Sequence, residues 1–224
     1  MPPTFDSSAD TGGRPTPARI RVMGRMLNRL MVRAPWTWPL IRGPMRRFFD
    51  TAAPGWDRRT RAGSPDHLAP LAAALLHVQP APERALESGT GTGEGALLLA
   101  REFPQASVRG VDLSEEMVAA AKAKVGLDPE GRIAFRVADA AALPYEDESF
   151  DLVAHLNMPP FVREVARVLR PGGHAVVASS WGPATPFYTP KGALDWAFAK
   201  HGIEPVAAGD AGDGTFWVGR RQAP

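Results

Sequence analysis

From about Pro65 onward, short apolar runs alternate along the chain with stretches whose apolar residues recur at helical spacing. His67 to Val78, Glu94 to Phe103 and Ser114 to Val125 have the helical pattern. Arg84 to Ser88, Ser107 to Asp112, Ile133 to Ala138 and Phe150 to Leu156 have the strand pattern. A further helix ends near Leu169, and a Pro171-Gly172-Gly173 turn then leads into a strand over His174 to Ser179. The last part reads as a helix over Lys191 to His201 and two strands, Pro205 to Ala208 and Thr215 to Gly219, with Gly209 to Gly214 as a hairpin-like connection. Alternation of this kind predicts parallel strands with crossover helices on both faces, because each right-handed crossover must cover the sheet.

Before Pro65 the pattern differs. Met1 to Pro17 mixes Pro, Gly, Ser, Thr and Asp without periodicity, a composition that cannot repay its ordering entropy by burial, so residues 1–17 are expected to be a disordered tail. Over Ala18 to Arg33, Ile20, Met23, Met26, Leu27, Leu30 and Met31 gather on one helical face and Arg21, Arg25 and Arg29 on the other. Ala34-Pro35 and Trp38-Pro39 break that pattern. Residues 18–64 thus form a basic amphipathic extension ahead of a single domain over 65–224.

Charge sharpens this division. Residues 1–61 carry twelve arginines against four aspartates, whereas the whole chain of 224 residues is only +2, so the remainder is net acidic. There is no cysteine, and no two of the five histidines sit at helical ligand spacing, so neither a disulfide framework nor a metal site is expected. No stretch approaches the roughly 20 apolar residues of a membrane span. The first residues also lack the order of a secretory signal, which makes the cytoplasm the expected location.

The chemistry concentrates in Arg84-Ala-Leu-Glu87-Ser-Gly89-Thr90-Gly91-Thr-Gly93-Glu-Gly95, a strand running through a glycine-rich turn into a helix. Glycines there permit a tight turn and close approach of a ligand to the backbone. In the dinucleotide pattern G-x-G-x-x-G counted from Gly89, the third glycine would fall on Glu94; counted from Gly91 it would fall on Ala96, which is tolerated, so a nicotinamide cofactor is disfavoured without being excluded. Asp112 ends the next strand about twenty residues beyond the loop, where a carboxylate can accept both hydroxyls of a ribose. Val137-Ala-Asp139-Ala140 before Leu143-Pro144, Ser149-Phe150-Asp151, and Arg163 to Gly173 are further landmarks.

In these landmarks the chain resembles the class I S-adenosylmethionine-dependent methyltransferases over about residues 82–220, and it is similar to their ubiquinone and menaquinone type. The resemblance implies a Rossmann-like, doubly wound α/β sheet of seven strands, mostly parallel, with one antiparallel strand. It implies S-adenosylmethionine as cofactor, with Glu87, Gly89, Thr90, Gly91 and Gly93 forming its first motif. Asp112 and Leu113 would take the ribose end, Met117 would lie against the adenine, and Asp139 and Ala140 would read the ring, with Asn157 at the same edge. Ser114 would cap the following helix. In small-molecule relatives a segment similar to Arg42 to Arg61 folds over the cofactor, which would make Trp56 and Asp57 part of a lid.

His155, at the C-terminal end of a strand, is the candidate base for the acceptor's proton, and Tyr145 is a second candidate on that edge. Asn157-Met158-Pro159-Pro160-Phe161 invites comparison with the Asn-Pro-Pro-aromatic motif of nucleic-acid amine methyltransferases, but Met158 breaks its register. The expected function is methyl transfer, without a metal, to a small lipophilic molecule. The alternative from another class is a non-catalytic methyltransferase-like binding or assembly module at a membrane. The basic helix either lies in an anionic membrane surface as a peripheral anchor or docks its apolar face on the domain or a second subunit. No reading motif points to nucleic acid.

Overall fold

The structure, a computed structural model, describes residues 22, 24–28, 31, 34–128 and 130–223. Its core element is a seven-stranded sheet built from β1 (Arg84–Ser88), β2 (Ser107–Asp112), β3 (Ile133–Val137), β4 (Phe150–Leu156), β5 (Leu169–Ser179), β6 (Ile203–Ala211) and β7 (Gly214–Arg221). The spatial order is β3-β2-β1-β4-β5-β7-β6. The first five strands pair in parallel, and β7 runs antiparallel to both β5 and β6. The fold is therefore the Rossmann-like, doubly wound sheet expected from the resemblance.

The helices over the sheet are α3 (Pro65–Leu75), α4 (Glu94–Glu102), α5 (Glu115–Lys124), α6 (Val162–Val168) and α7 (Lys191–Ala199). They create two apolar layers. On one face Leu71, Leu75, Leu98, Leu99 and Val118 pack on Val108, Leu152, Ala154 and Val176. On the other, Val165, Val168, Leu194 and Phe198 pack on Leu86, Val111, Val153 and Val177. Leu152, Val153 and Ala154 of β4 thus alternate between opposite layers, which explains why three consecutive positions there are apolar.

Ahead of the sheet lie α1 (Trp38–Ala52) and α2 (Trp56–Thr60). The expected tail over residues 1–17 lies outside the described residues. Of the helix expected over 18–33, positions 22, 24–28 and 31 are described and all are helical. Asn28 is buried and its amide donates to the Tyr188 carbonyl (2.8 Å) and to Thr189 Oγ1 (2.9 Å), while Leu27 and Met31 join an apolar cluster with Trp38, Ala140 and Phe161. This segment docks on the rest of the chain, although Met26 of the expected apolar face is exposed.

The break expected at Ala34-Pro35 and Trp38-Pro39 is present: Ala34 lies outside any helix, and Pro39 occupies the first turn of a new helix, α1, where a missing N–H costs nothing, with Pro44 accommodated inside it. Two expectations need correction. β5 begins at Leu169 and runs through Pro171-Gly172-Gly173, since Phe150 pairs with Leu169 and the register shift between Phe150 and Leu152 absorbs the glycines. The connection over 209–214 is mostly strand: Ala211 pairs with Gly214, leaving a two-residue turn with Gly212 at φ 56°. Among the described residues, no helix is long and apolar enough to cross a membrane.

Candidate active site

The parallel registers bring Ser88 beside Val111, Asp112 beside Val137 and Glu87 beside Ala154. The C-terminal ends of β1, β2 and β4 thereby meet at one edge, where the strand order reverses between β1 and β4, the crevice in which such sheets bind ligands. After β1 the amides of Gly89 and Thr90 both donate to the Val111 carbonyl (2.8 Å each), which anchors the glycine turn to β2. Gly91 has φ 53°, and a Cβ there would meet nothing within 4 Å, so the turn presents bare backbone to open space.

Glu87 holds this turn from beneath. Its Oε2 accepts from Thr90 Oγ1 (2.5 Å) and from the Ala96 amide (2.7 Å), joining strand, turn and the first turn of α4. A Cβ on Gly95 would stand 1.8 Å from Glu87 Oε1, so glycine is required for the carboxyl to fit. Burial pushes the Glu87 carboxyl up to about 8, against the lowering effect of Thr90 and Ala96. It is a buried brace.

Asp112 is arranged differently. Oδ2 accepts from the Gly91 amide (2.9 Å) and Oδ1 from the Ser114 amide (2.9 Å). Burial raises its pKa, opposed by the amides of Ser114, Gly91 and Leu113. A carboxylate offers about four lone-pair sites, so each oxygen keeps one for a further donor. Ser114 caps α5 as expected, accepting from the Met117 amide (3.1 Å), and its hydroxyl donates to Asp50 Oδ1 (2.6 Å) in α1. Met117 itself is fully buried.

Asp139 is saturated. Trp38 Nε1 donates to Oδ1 (2.8 Å) and Oδ2 (3.0 Å), the Ala141 amide donates to Oδ1 (2.9 Å), and Arg42 Nη1 reaches Oδ2 at 3.5 Å. The indole packs edge-on against Phe161 with centroids 5.0 Å apart, and around it cluster Ala140, Leu113 and Met158. Met158 also lies over the turn, its Sδ 1.8 Å from where a Cβ on Gly89 would stand. The N-terminal extension therefore covers the ground that the resemblance assigns to the adenine.

The expected lid residues meet the glycine turn. Asp57 Oδ1 accepts from Thr92 Oγ1 (2.5 Å), and Lys124 Nζ bridges Asp57 Oδ2 and Glu94 Oε1 at 2.6 Å each. Trp56 packs edge-on against Phe49 of α1.

His155 does not serve as expected. It is 1% exposed, and among the described atoms neither ring nitrogen has a hydrogen-bond partner. Burial drives its pKa down to about 4, with the backbone at Val176 opposing. A base must touch the proton it removes, and these nitrogens have no accessible surface, so His155 is a packed neutral side chain. Tyr145 is likewise enclosed, its hydroxyl unpartnered and its ring edge-on to Phe150.

Asn157 stands just beyond β4 with φ 58°, a conformation asparagine tolerates. Its Oδ1 accepts from the Ser180 amide (2.8 Å) and its Nδ2 donates to Ser180 Oγ (2.8 Å) and approaches His67 Nε2 (3.4 Å). The side chain ties β4 to the end of β5, and its Oδ1 is engaged by the Ser180 amide. His67, which no motif marks, closes this cluster: Ser180 Oγ donates to its carbonyl (2.7 Å), and Trp181 packs edge-on against its ring. Burial lowers the His67 pKa, opposed by the charges of Glu94 and Asp57 and by the Thr60 backbone.

Comparison with known proteins accords with this geometry. A family model described as a methyltransferase domain matches residues 86–177. The ubiquinone/menaquinone biosynthesis C-methyltransferase of Syntrophotalea carbinolica is 34% identical over 181 residues, covering 77% of this chain and 74% of the relative. The protein of the same description from Geobacter sulfurreducens is 40% identical over 103 residues, but the match spans only 42% of this chain and 40% of that one. Among solved structures, an S-adenosylmethionine-dependent methyltransferase from Aquifex aeolicus shares the fold with a TM-score of 0.59 at 18% identity, over 72% of this chain and 95% of that one. With the sheet order, the glycine turn braced by Glu87 and the carboxylate of Asp112 all in place, the chain belongs to the class I S-adenosylmethionine-dependent methyltransferase family.

Proposed function

We propose that this chain transfers the methyl group of S-adenosylmethionine to a small lipophilic molecule by in-line displacement. The observation that carries the reading is Asp112: half-buried, fixed by the backbone amides of Gly91 and Ser114, and with acceptor capacity left on its carboxylate, the donor-acceptor match for a ribose diol. The open backbone at Gly91 suits the amino-acid end of the same cofactor, so the residues present fit the group.

When bound, the cofactor supplies a methyl carbon made electrophilic by its sulfonium leaving group, and displacement at such a carbon needs no metal. The chain contributes binding, orientation and exclusion of water. In this reading Gly89, Thr90, Gly91 and Gly93 line the amino-acid end, Asp112 and Leu113 hold the ribose, and Asp139 and Ala140 read the adenine beside Met117. Asp57 ties the lid to the turn through Thr92. Asn157 acts indirectly, by holding the ends of β4 and β5 together. No general base is assigned, since both candidates on that edge are enclosed.

A lipophilic acceptor is supported by the relatives, which are described as C-methyltransferases of ubiquinone and menaquinone biosynthesis. Peripheral attachment to an anionic bilayer through the basic extension belongs to the same reading, because such an acceptor resides in lipid.

Calorimetric titration with S-adenosylmethionine, and separately with NAD and NADP, tests the core of the proposal. Wild-type protein should bind S-adenosylmethionine alone, at micromolar affinity, and Asp112→Ala should lose at least about tenfold, the worth of one charged hydrogen bond. Absence of binding to the wild type would leave the fold and make a non-catalytic binding module the better account.

A further inference from the structure

α1 has two apolar faces, and the fold uses only one. Trp38, Ile41 and Met45 turn inward onto Ala140 and Phe161. On the other side Leu40, Pro44 and Phe48 follow at four-residue spacing, continuing from Trp36, and all four are exposed: Trp36 and Leu40 at 77%, Phe48 at 58%. Among the described residues, five of the ten large apolar side chains that are exposed lie between positions 22 and 48, so the exposure is concentrated rather than scattered.

Arginines accompany the stripe. From Trp36 to Phe49 the chain carries Arg42, Arg46 and Arg47 and no acid. Arg42 and Arg46 are about half-exposed while reaching Asp139, and Asp50 and Glu115, respectively. A surface that joins an exposed tryptophan, leucine and phenylalanine to arginines has the two components of an interfacial anchor: apolar groups for the acyl boundary and cations for anionic headgroups. A protein partner would equally bury the apolar stripe, but the excess of arginines over residues 1–61, twelve against four aspartates, with Arg47 in none of the salt bridges among the described residues, favours an anionic surface.

We propose that Trp36, in the short turn before α1, and the outer face of α1 as far as Phe48 dock on an anionic lipid bilayer. The inference rests on the reading of a lipophilic acceptor and goes further by placing the contact on α1 rather than on the helix upstream. It also supplies a route: the inward face of the same helix closes on Asp139, so the lipid contact and the cofactor ground lie one helix diameter apart, about 10 Å.

Flotation of the full chain with vesicles of phosphatidylcholine, with and without phosphatidylglycerol, tests the proposal. Wild-type protein should float with the anionic vesicles, more weakly at high salt, and little with the neutral ones. The triple variant Trp36→Ser, Leu40→Ser, Phe48→Ser should lose at least about tenfold in partitioning, because its changes remove the insertable area while touching only solvent-facing positions. Arg47→Glu, a milder change, should weaken binding to anionic vesicles alone. Wild type remaining in the supernatant, or equal flotation of wild type and both variants, overturns the proposal. So does a wild-type dimer in sedimentation that the triple variant abolishes, since the stripe would then belong to a second copy. Titration of the variants with S-adenosylmethionine in vesicle-free buffer separates the two readings. Retained cofactor binding with lost flotation supports the surface, whereas flotation without cofactor binding in the wild type defeats the functional reading and leaves the surface standing.

Discussion

Glu87 and His155 are both fully buried in the sheet, and burial moves their protonation in opposite directions. The Glu87 carboxyl rises from 4.5 to about 8, so between those values the native state keeps a proton that the unfolded chain has released, and stability falls as pH rises. His155 drops from 6.5 to about 4, so across that window the unfolded chain binds a proton the native state refuses, and stability rises with pH. From about pH 4.5 to 6.5 the two oppose each other; above 6.5 only Glu87 of this pair still acts. Urea unfolding should therefore show wild-type stability declining from pH 6.5 to pH 8, and Glu87→Gln, which keeps an acceptor for Thr90 and Ala96, should remove most of that decline. Equal declines in both proteins would place the titrating group elsewhere. At this scale the sequence was legible where spacing carries the information: Glu87, Asp112 and the Ser114 cap stand where the motif and the helix start put them. It was illegible for His155, since a strand end reads the same whether or not helices enclose it, and for His67, whose partners Asn157 and Ser180 are remote in sequence.

Among the elements, α1 is the one that local pattern concealed. Pro35 and Pro39 read as breakers, yet Pro39 lies in the first turn and the inward residues Trp38, Ile41 and Met45 keep helical spacing. The consequence concerns Asp139. Its carboxylate is filled by Trp38, the Ala141 amide and Arg42, so an adenine amino group can be accepted only if one donor withdraws, and the Ala141 amide is fixed by the chain two residues on. The exposed Arg42 contact is worth little, which leaves the indole as the effective competitor. Trp38→Phe preserves the packing on Phe161 and deletes the N–H, and it should tighten S-adenosylmethionine binding severalfold by calorimetry. Weaker binding in this variant would mean that the indole forms part of the cofactor's own wall. The β5 start and the final hairpin were misread for a related reason: glycines at 172, 173, 209 and 212 signal turns, but strand pairing to β4 and β7 outweighs that local preference at most of them.

For the whole molecule, the distribution of apolar packing decides what opens first. β1, β4 and β5 are the three central strands of the seven, each with a neighbour on both sides and covered by the two large layers. The extension is held by a third and smaller cluster around Met31, Trp38, Ala140 and Phe161, together with ion pairs from Arg42 and Arg46 to Asp139, Asp50 and Glu115. Those pairs are partly exposed and contribute at most about 1 kcal/mol each, less in salt, so the cluster carries the attachment together with the hydrogen bonds of Trp38 to Asp139, Asn28 to Thr189, Ser114 to Asp50 and Thr92 to Asp57. Burial of a few side chains cannot match that of two full layers, and the extension should detach in a local opening that leaves the sheet intact. Native-state hydrogen exchange is expected to show amides of β1, β4 and β5 exchanging only through global unfolding, with strong urea dependence. Amides of α1 should exchange at least about a hundredfold faster, with weak urea dependence and little change on adding salt. If α1 shared the protection and the urea slope of β1, the extension and the sheet would be one cooperative unit, and the division of the chain near residue 64 would have no thermodynamic meaning. If α1 lost its protection in salt alone, the ion pairs would be the true attachment, and vesicle binding would then compete with them directly.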